Sequence, residues 1–263
     1  MQTTHIWNKL DLRWRKVVLA LFFVFSVSGI SFGQGMFGML SGAGSDDQFI
    51  SYGFFLAGHT SYYQIKYTDD FLNSGGSVAP NVARISPDYK PGFALGFIGM
   101  MKFHDQVHLM LQPKIGFYEH SVDVTYFSST DDNSMNPDNV IPPTNIERYT
   151  SEQTLVEFPL LIRYRSQRFN NTRMYFLGGG SYRFRTKGQD EANLDDLVVD
   201  GQDVTLELGM GFEIYFKYFK FAPEIRFSHG LMDIYKPENT NPLFADAIGS
   251  VKPKTITILL NFQ

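Results

Sequence analysis

Along Thr154 to Lys187 apolar and polar residues alternate with a period of two. Val156, Phe158, Leu160, Ile162 and Tyr164 make one set; Glu157, Pro159, Leu161, Arg163 and Arg165 make the interleaved one. Beyond the stretch Arg168 to Thr172, Met174, Phe176, Tyr182 and Phe184 alternate with Tyr175, Ser181, Arg183 and Arg185. Successive side chains of a strand point to opposite faces, so each arm has one apolar face and one face that carries both signs of charge. The pattern predicts an antiparallel hairpin.

The same parity recurs. Val204, Leu206, Leu208, Met210, Phe212, Ile214 and Phe216 oppose Glu207, Gly209, Gly211, Glu213 and Tyr215. Phe221, Pro223, Ile225 and Phe227 oppose Glu224, Arg226 and Ser228; Ile256, Ile258, Leu260 and Phe262 oppose Thr255, Thr257 and Asn261. Val107, Leu109, Leu111, Ile115 and Phe117 oppose His108, Gln112 and Lys114. Eight strands are predicted, over Ile50–Tyr67, Gly92–Phe103, Val107–Tyr126, Leu155–Ser166, Arg173–Lys187, Val204–Phe216, Phe221–Gly230 and Lys254–Phe262. In the first of these both parities mix apolar and polar residues, so its pattern fixes no face.

Connections after the second, fourth and sixth strands are short, and those after the first, third, fifth and seventh are long and polar. Alternation of this kind puts the short turns at one end and the long loops at the other, the asymmetry of outer-membrane barrels with periplasmic turns and extracellular loops. Both termini then fall on the periplasmic side. Two barrels fit the parity: a lipocalin-like soluble one with an apolar cavity, or a membrane barrel with its apolar face toward lipid. Unbroken apolar faces, balanced acids and arginines on the other face, and the loop asymmetry favour the membrane reading.

Eight strands leave a lumen just wide enough for side chains to fill. Glu157, Arg163, Arg165, Arg183, Arg185, Glu207, Glu213, Glu224 and Arg226 are therefore expected to form a packed ion-pair plug, with Glu157, Glu207 and Glu224 as candidate partners of Arg163. The fold class is all-β: an eight-stranded antiparallel up-and-down transmembrane barrel, without an open pore.

Composition narrows the picture. In 263 residues there are 25 Phe and 14 Tyr, a richness in strand formers. A net charge of −4 gives no basic field for nucleic acid. The absence of cysteine excludes a disulfide scaffold, a thiol nucleophile and a lipoprotein anchor. At the N-terminus Arg13, Arg15 and Lys16 precede an apolar run from Val17 to about Val27, and small residues lead to Ser31 and Gly33. That is the build of a secretory signal peptide over residues 1–33. A Gly- and Ser-rich lead-in over 34–48 and the barrel over 49–263 follow.

Candidate chemistry is sparse. Gly178-Gly179-Gly180 and the Gly209-x-Gly211 pair lack the following helix that a phosphate cradle needs, and read as strand glycines. Ser228 and His229 are neighbours in a strand and face opposite ways. His59, His104, His108 and His120 read as surface or turn histidines, and Asp131, Asp132 and Asp138 as a solvated acidic loop rather than a calcium site. No catalytic residue, metal ligand or cofactor is expected, and the chain reads as a non-enzyme.

Four stretches carry a family resemblance: FPLLIRYRS (Phe158–Ser166), GGGSYRF (Gly178–Phe184), LGMGFEIYF (Leu208–Phe216) and APEIRFSHGL (Ala222–Leu231). In order and spacing they resemble the PorT family of outer-membrane barrels, including its SprT relatives in gliding bacteria, over about Thr154 to Gln263; the first half is similar only in general barrel character. The resemblance implies a noncatalytic outer-membrane protein of the type IX secretion system and gliding motility. Its implied partners are other secretion or gliding proteins, besides outer-membrane lipid and lipopolysaccharide. The final aromatic, Phe262, is penultimate, which departs from the terminal position common in Gram-negative barrels.

Overall fold

A computed structural model describes residues 48–73, 82–126, 146–186, 197–237, 240, 244 and 246–263. The predicted signal peptide, most of the lead-in, and Asp131, Asp132 and Asp138 lie outside these residues. Strands are β1 (Ile50–Tyr67), β2 (Val82–Asp88), β3 (Lys90–Lys102), β4 (Val107–Leu111), β5 (Lys114–Tyr126), β6 (Ile146–Arg165), β7 (Thr172–Arg185), β8 (Gln202–Tyr215), β9 (Lys220–Gly230) and β10 (Ile248–Phe262). A short helix, α1 (Asp69–Asn73), follows β1.

Ten segments build eight wall positions. Only Tyr89 separates β2 from β3, and Gln112-Pro113 separates β4 from β5. Pro113 has no N–H to give a ladder. Wall continuity is kept there by Gln112 N–H donating to Pro159 O at 3.1 Å and Phe97 N–H to Pro113 O at 3.0 Å. Each consecutive wall pair is antiparallel, and β1 pairs with both β10 and β3, which closes the ring. Closure leaves the membrane-embedded wall no free edge.

The short connections Phe103–Gln106, Ser166–Asn171 and Phe216–Phe219 lie together at one end, where Ile50 pairs with Met101 and Gln263 with Lys220. In the second of these, Phe169 and Thr172 exchange backbone hydrogen bonds at 2.9 and 3.0 Å around Asn170, whose φ of 52° is a left-handed conformation that asparagine tolerates.

Several sequence expectations change. β6 begins at Ile146 rather than Leu155, β10 at Ile248 rather than Lys254, and β2 is an additional segment. These extensions rise past the apolar belt, where neither face meets lipid and parity carries no signal. The undecided first strand resolves: Phe55, Ala57, His59, Ser61 and Tyr63 are buried in the lumen, and Phe54 and Leu56 face out.

Outside, the belt runs round the ring, with Leu56, Phe97, Ile162, Phe176, Leu208, Phe227 and Ile258 all exposed. Exposed aromatics flank it: Phe103, Phe169 and Tyr218 at the turn end, Tyr89 and Tyr182 toward the loops. Such girdles mark membrane interfaces. Inside, two apolar clusters frame the polar groups. One includes Phe55, Ile98, Met100, Met110, Leu161 and Leu259; the other includes Tyr63, Ile85, Val124, Phe244, Ile248 and Val251 at the loop end.

Candidate functional site

The inward faces of β5 to β9 bring their charges together because each strand contributes every second residue to one narrow lumen. Among the described residues, five carboxylates (Glu157, Asp203, Glu207, Glu213, Glu224) and six cations (Lys114, Arg163, Arg165, Arg183, Lys220, Arg226) are buried there. Near neutrality is what a closed interior requires, since a stranded charge is costly.

Two centres organise them. Glu213 receives Arg163 at 2.9 Å, Arg165 at 3.3 Å and the Tyr215 hydroxyl at 2.8 Å, with Lys220 at 3.7 Å. Glu224 lies 3.5 Å from Arg163 and accepts from the Tyr175 hydroxyl at 2.9 Å and from Arg226 Nε at 2.8 Å. Arg226 reaches on to Glu207 at 3.0 Å and to Gln112 Oε1 at 2.6 Å, while the Arg163 guanidinium covers the Tyr175 ring at 3.8 Å. Planar guanidinium groups suit this arrangement because each offers several donors in a fixed fork.

Satellite pairs sit apart from these centres. Glu157 is bound by Lys114 at 3.0 Å and by the Tyr118 hydroxyl, and Arg183 by Asp203 at 2.7 Å. Arg163 is thus partnered by Glu213 and Glu224. Glu157 and Glu207, named beforehand as its candidates, serve Lys114 and Arg226 instead. Arg185 is only half-buried at the loop-ward end of β7. Sequence reasoning left Lys114, Asp203, Lys220, Tyr118 and Tyr175 out of the network; for each the usable signal was its inward parity.

The histidines correct the earlier reading. His59, His108 and His120 are buried in the lumen, and only His104 sits in an exposed turn. His108 Nε2 meets Arg165 at 2.8 Å, His59 stacks on Tyr118 and His120 on Tyr63, each with centroids 4.1 Å apart. Among the described residues no three His, Cys, Asp or Glu side chains gather in a way that could hold a metal ion.

Two glycines of these runs serve packing. A Cβ on Gly179 would fall on the carbonyl oxygen of Leu160, and one on Gly209 would lie 2.8 Å from that of Ile225. Close backbone approach accounts for both. Outside the belt, at the Phe103–Gln106 turn, Lys102 Nζ lies 2.9 Å from Asp105 and holds its carboxyl below the usual carboxylate range.

Residues 45–236 match the family model for the outer membrane protein beta-barrel domain. The chain belongs to that family. Its members' barrel architecture and outer-membrane location accord with the closed ladder and apolar belt, and the outer membrane is where this barrel resides. A comparison with curated proteins finds no match. Solved structures similar to the chain include OprG from Pseudomonas aeruginosa, at 12% identity over 81% of this chain and 94% of that one, TM-score 0.41. The outer-membrane protease OmpT from Escherichia coli is similar at 8% identity over 81% and 95%, TM-score 0.38. Neisserial surface protein A is similar at 7% identity over 81% and 98%, TM-score 0.37.

Proposed function

We propose that the barrel is a noncatalytic PorT-type component of type IX secretion and gliding motility, acting through its surfaces and not by conducting cargo. The observation that carries this reading is where the family-like stretches fall. Phe158–Ser166, Gly178–Phe184, Leu208–Phe216 and Ala222–Leu231 supply Arg163, Arg165, Arg183, Glu213, Glu224 and Arg226 to the lumen. A lumen with Arg163, Gln112 and Glu213 wholly buried is a scaffold rather than a passage. On this reading both termini are periplasmic, and the exposed Phe103, Phe169 and Tyr218 stand where periplasmic or inner-leaflet partners meet the barrel.

The test is a mild-detergent pull-down of the tagged barrel from native outer membranes, with mass spectrometry, beside a deletion strain assayed for secretion of surface proteins. Recovery of secretion or gliding components together with a secretion defect supports the reading. A solitary barrel whose deletion leaves secretion intact overturns it. A second reading, an autonomous envelope barrel for adhesion or integrity, draws on the tall β5–β6 ribbon beyond the belt, where Arg148 pairs with Asp123 at 2.8 and 2.9 Å.

A further inference from the structure

Charge on the outer wall is sorted by arc. β1 and β10 contain no Asp or Glu, and the one acid of β9, Glu224, is buried in the lumen. On the outward parity of these three neighbouring strands stand Lys66, Lys252, Lys254 and His229, alternating with the buried Tyr63, Val251 and Thr255. Lys66 is exposed and the other three are half-buried.

The ladder sets their spacing. Across β1–β10, Tyr62 pairs with Lys254, Gln64 with Lys252 and Lys66 with Ser250; across β10–β9, Lys254 pairs with His229. Same-face neighbours along a strand are about 7 Å apart and adjacent strands about 5 Å, so the four groups cover a patch of roughly 14 by 10 Å. Lys252 Nζ donates to Leu231 O at 3.0 Å, which fixes its ammonium over the end of β9 and leaves further donors.

The opposite arc of the rim is compensated. Lys90 lies 3.5 Å from Glu119 and 3.9 Å from Asp88, and Arg148 meets Asp123 at 2.8 Å. Among the described residues no carboxylate forms an ion pair with Lys66, Lys252 or Lys254.

Height on the wall says what lies beside the patch. Turn-ward on the same faces come Leu56, Ile256, Ile258 and Phe227, all exposed in the lipid belt. Tyr62, level with Lys254, has its ring 4.5 Å from that of Tyr89 in the loop-end girdle. The lysines begin where the hydrocarbon ends, on the side of the wall, and lysine stems laid along apolar surface lift their ammoniums to head-group height. An ammonium binds phosphate as a point charge, and clustered lysines beside a membrane attract anionic head groups.

We propose that the β9–β10–β1 arc binds the phosphorylated head group of a lipid in the leaflet that meets the loop end, its phosphates held by Lys66, Lys252 and Lys254 with His229 as a further donor. The site is independent of the secretion reading and needs only that the barrel spans the membrane.

Native mass spectrometry of the folded, detergent-held barrel, titrated with diphosphorylated lipid A, tests it. A retained complex is expected, weakened at least about tenfold by combining Lys66→Gln, Lys252→Gln and Lys254→Gln, and kept when all three become Arg. Should the triple variant not fold, Lys66→Gln with Lys254→Gln, which leaves Lys252 and its bond to Leu231 in place, reads the same loss. Lipid A stripped of its phosphates should bind wild type no better than the intact lipid binds the triple variant. Equal binding by wild type and the Gln variants, or of intact and stripped lipid, would overturn the site. So would an equal loss in Lys217→Gln, in the turn at the opposite end, which would mean general attraction of anionic lipid to any surface cation. Full displacement of the lipid by inorganic phosphate at constant ionic strength would make the patch a soluble-phosphate site and overturn the lipid.

Discussion

Arg163 and Glu213 meet at 2.9 Å with neither side chain exposed at all. Glu213 also holds Arg165 and Lys220, so the pair is unequal: the carboxylate serves three cations, and Arg163 has a second acid in Glu224. Glu213→Gln should therefore cost more than Arg163→Met, on the order of 3–5 kcal/mol, because it strands several buried charges at once. Denaturant unfolding in lipid vesicles measures the difference; equal losses would contradict the shared-carboxylate account.

Lys114 and Glu157 form the simplest closed pair, at 3.0 Å. Lys114→Met and Glu157→Gln should each destabilise the barrel. The double variant should fall short of the summed losses by roughly 0.5–3 kcal/mol, since each single change leaves the other charge buried without its partner. Additive losses in a double-mutant cycle would sink the prediction.

Leu208 projects from β8 into the lipid belt. Leu208→Arg should cost about 2–4 kcal/mol near the bilayer midplane. Gln202→Arg, at the exposed start of the same strand, should change stability by no more than about 0.5 kcal/mol. A silent Leu208→Arg in vesicle unfolding would reverse the inside–outside assignment of β8.

Gly179 has no room for a methyl group beside Leu160, whereas Gly58 has open space. Gly179→Ala should lose about 1–3 kcal/mol through forced backbone shifts, while Gly58→Ala stays close to wild type. Heat-modifiable gel migration followed by unfolding titration separates the two. Equal behaviour would remove the packing explanation of the glycine run.

Tyr235 lies beyond the strands, and its hydroxyl donates to Phe244 O at 3.0 Å. Burial pushes its phenol up to about 12, with the nearby Asp246 and Asp233 charges adding to the rise. A phenol raised in the folded state contributes stability that is fully present below its unfolded value near 10 and is lost as pH climbs through 12. Loop-end stability should thus decline between about pH 10 and 12, and Tyr235→Phe should remove that dependence. Hydrogen exchange around Val199 and Ile234, followed against pH, reads it.

Parity was legible on β6 to β10 because their inward residues are largely charged or polar, as with Arg163, Glu207 and Arg226 opposite Ile162, Leu206 and Phe227. It failed on β1 because that strand's lumen side carries Phe55 and Ala57 as well as His59, so both faces read as mixed. The segments Val82–Asp88 and Ile146–Ser151 stand above the belt and carry no lipid signal on either face. Tyr67 reaches across there, its hydroxyl bonded to both the N–H and the carbonyl of Ile85, a contact no periodicity announces. Exact pairing inside the lumen was illegible for a different reason. Parity says which charges share the interior, but depth and stagger decide that Arg226 meets Glu207 and Glu224 while Lys114 meets Glu157.

The seam where β1 meets β10 joins residues near opposite ends of the sequence, as in Phe54↔Phe262 and Tyr67↔Ile248. The contacts among β1 to β9 can form before β10 is in place; this one, like the β9–β10 ladder, has to wait for the last strand. Until then β1 and β9 each present an open row of backbone donors and acceptors. Closure of this seam is thus the final latch, and an intermediate stalled one strand short keeps both of those edges open.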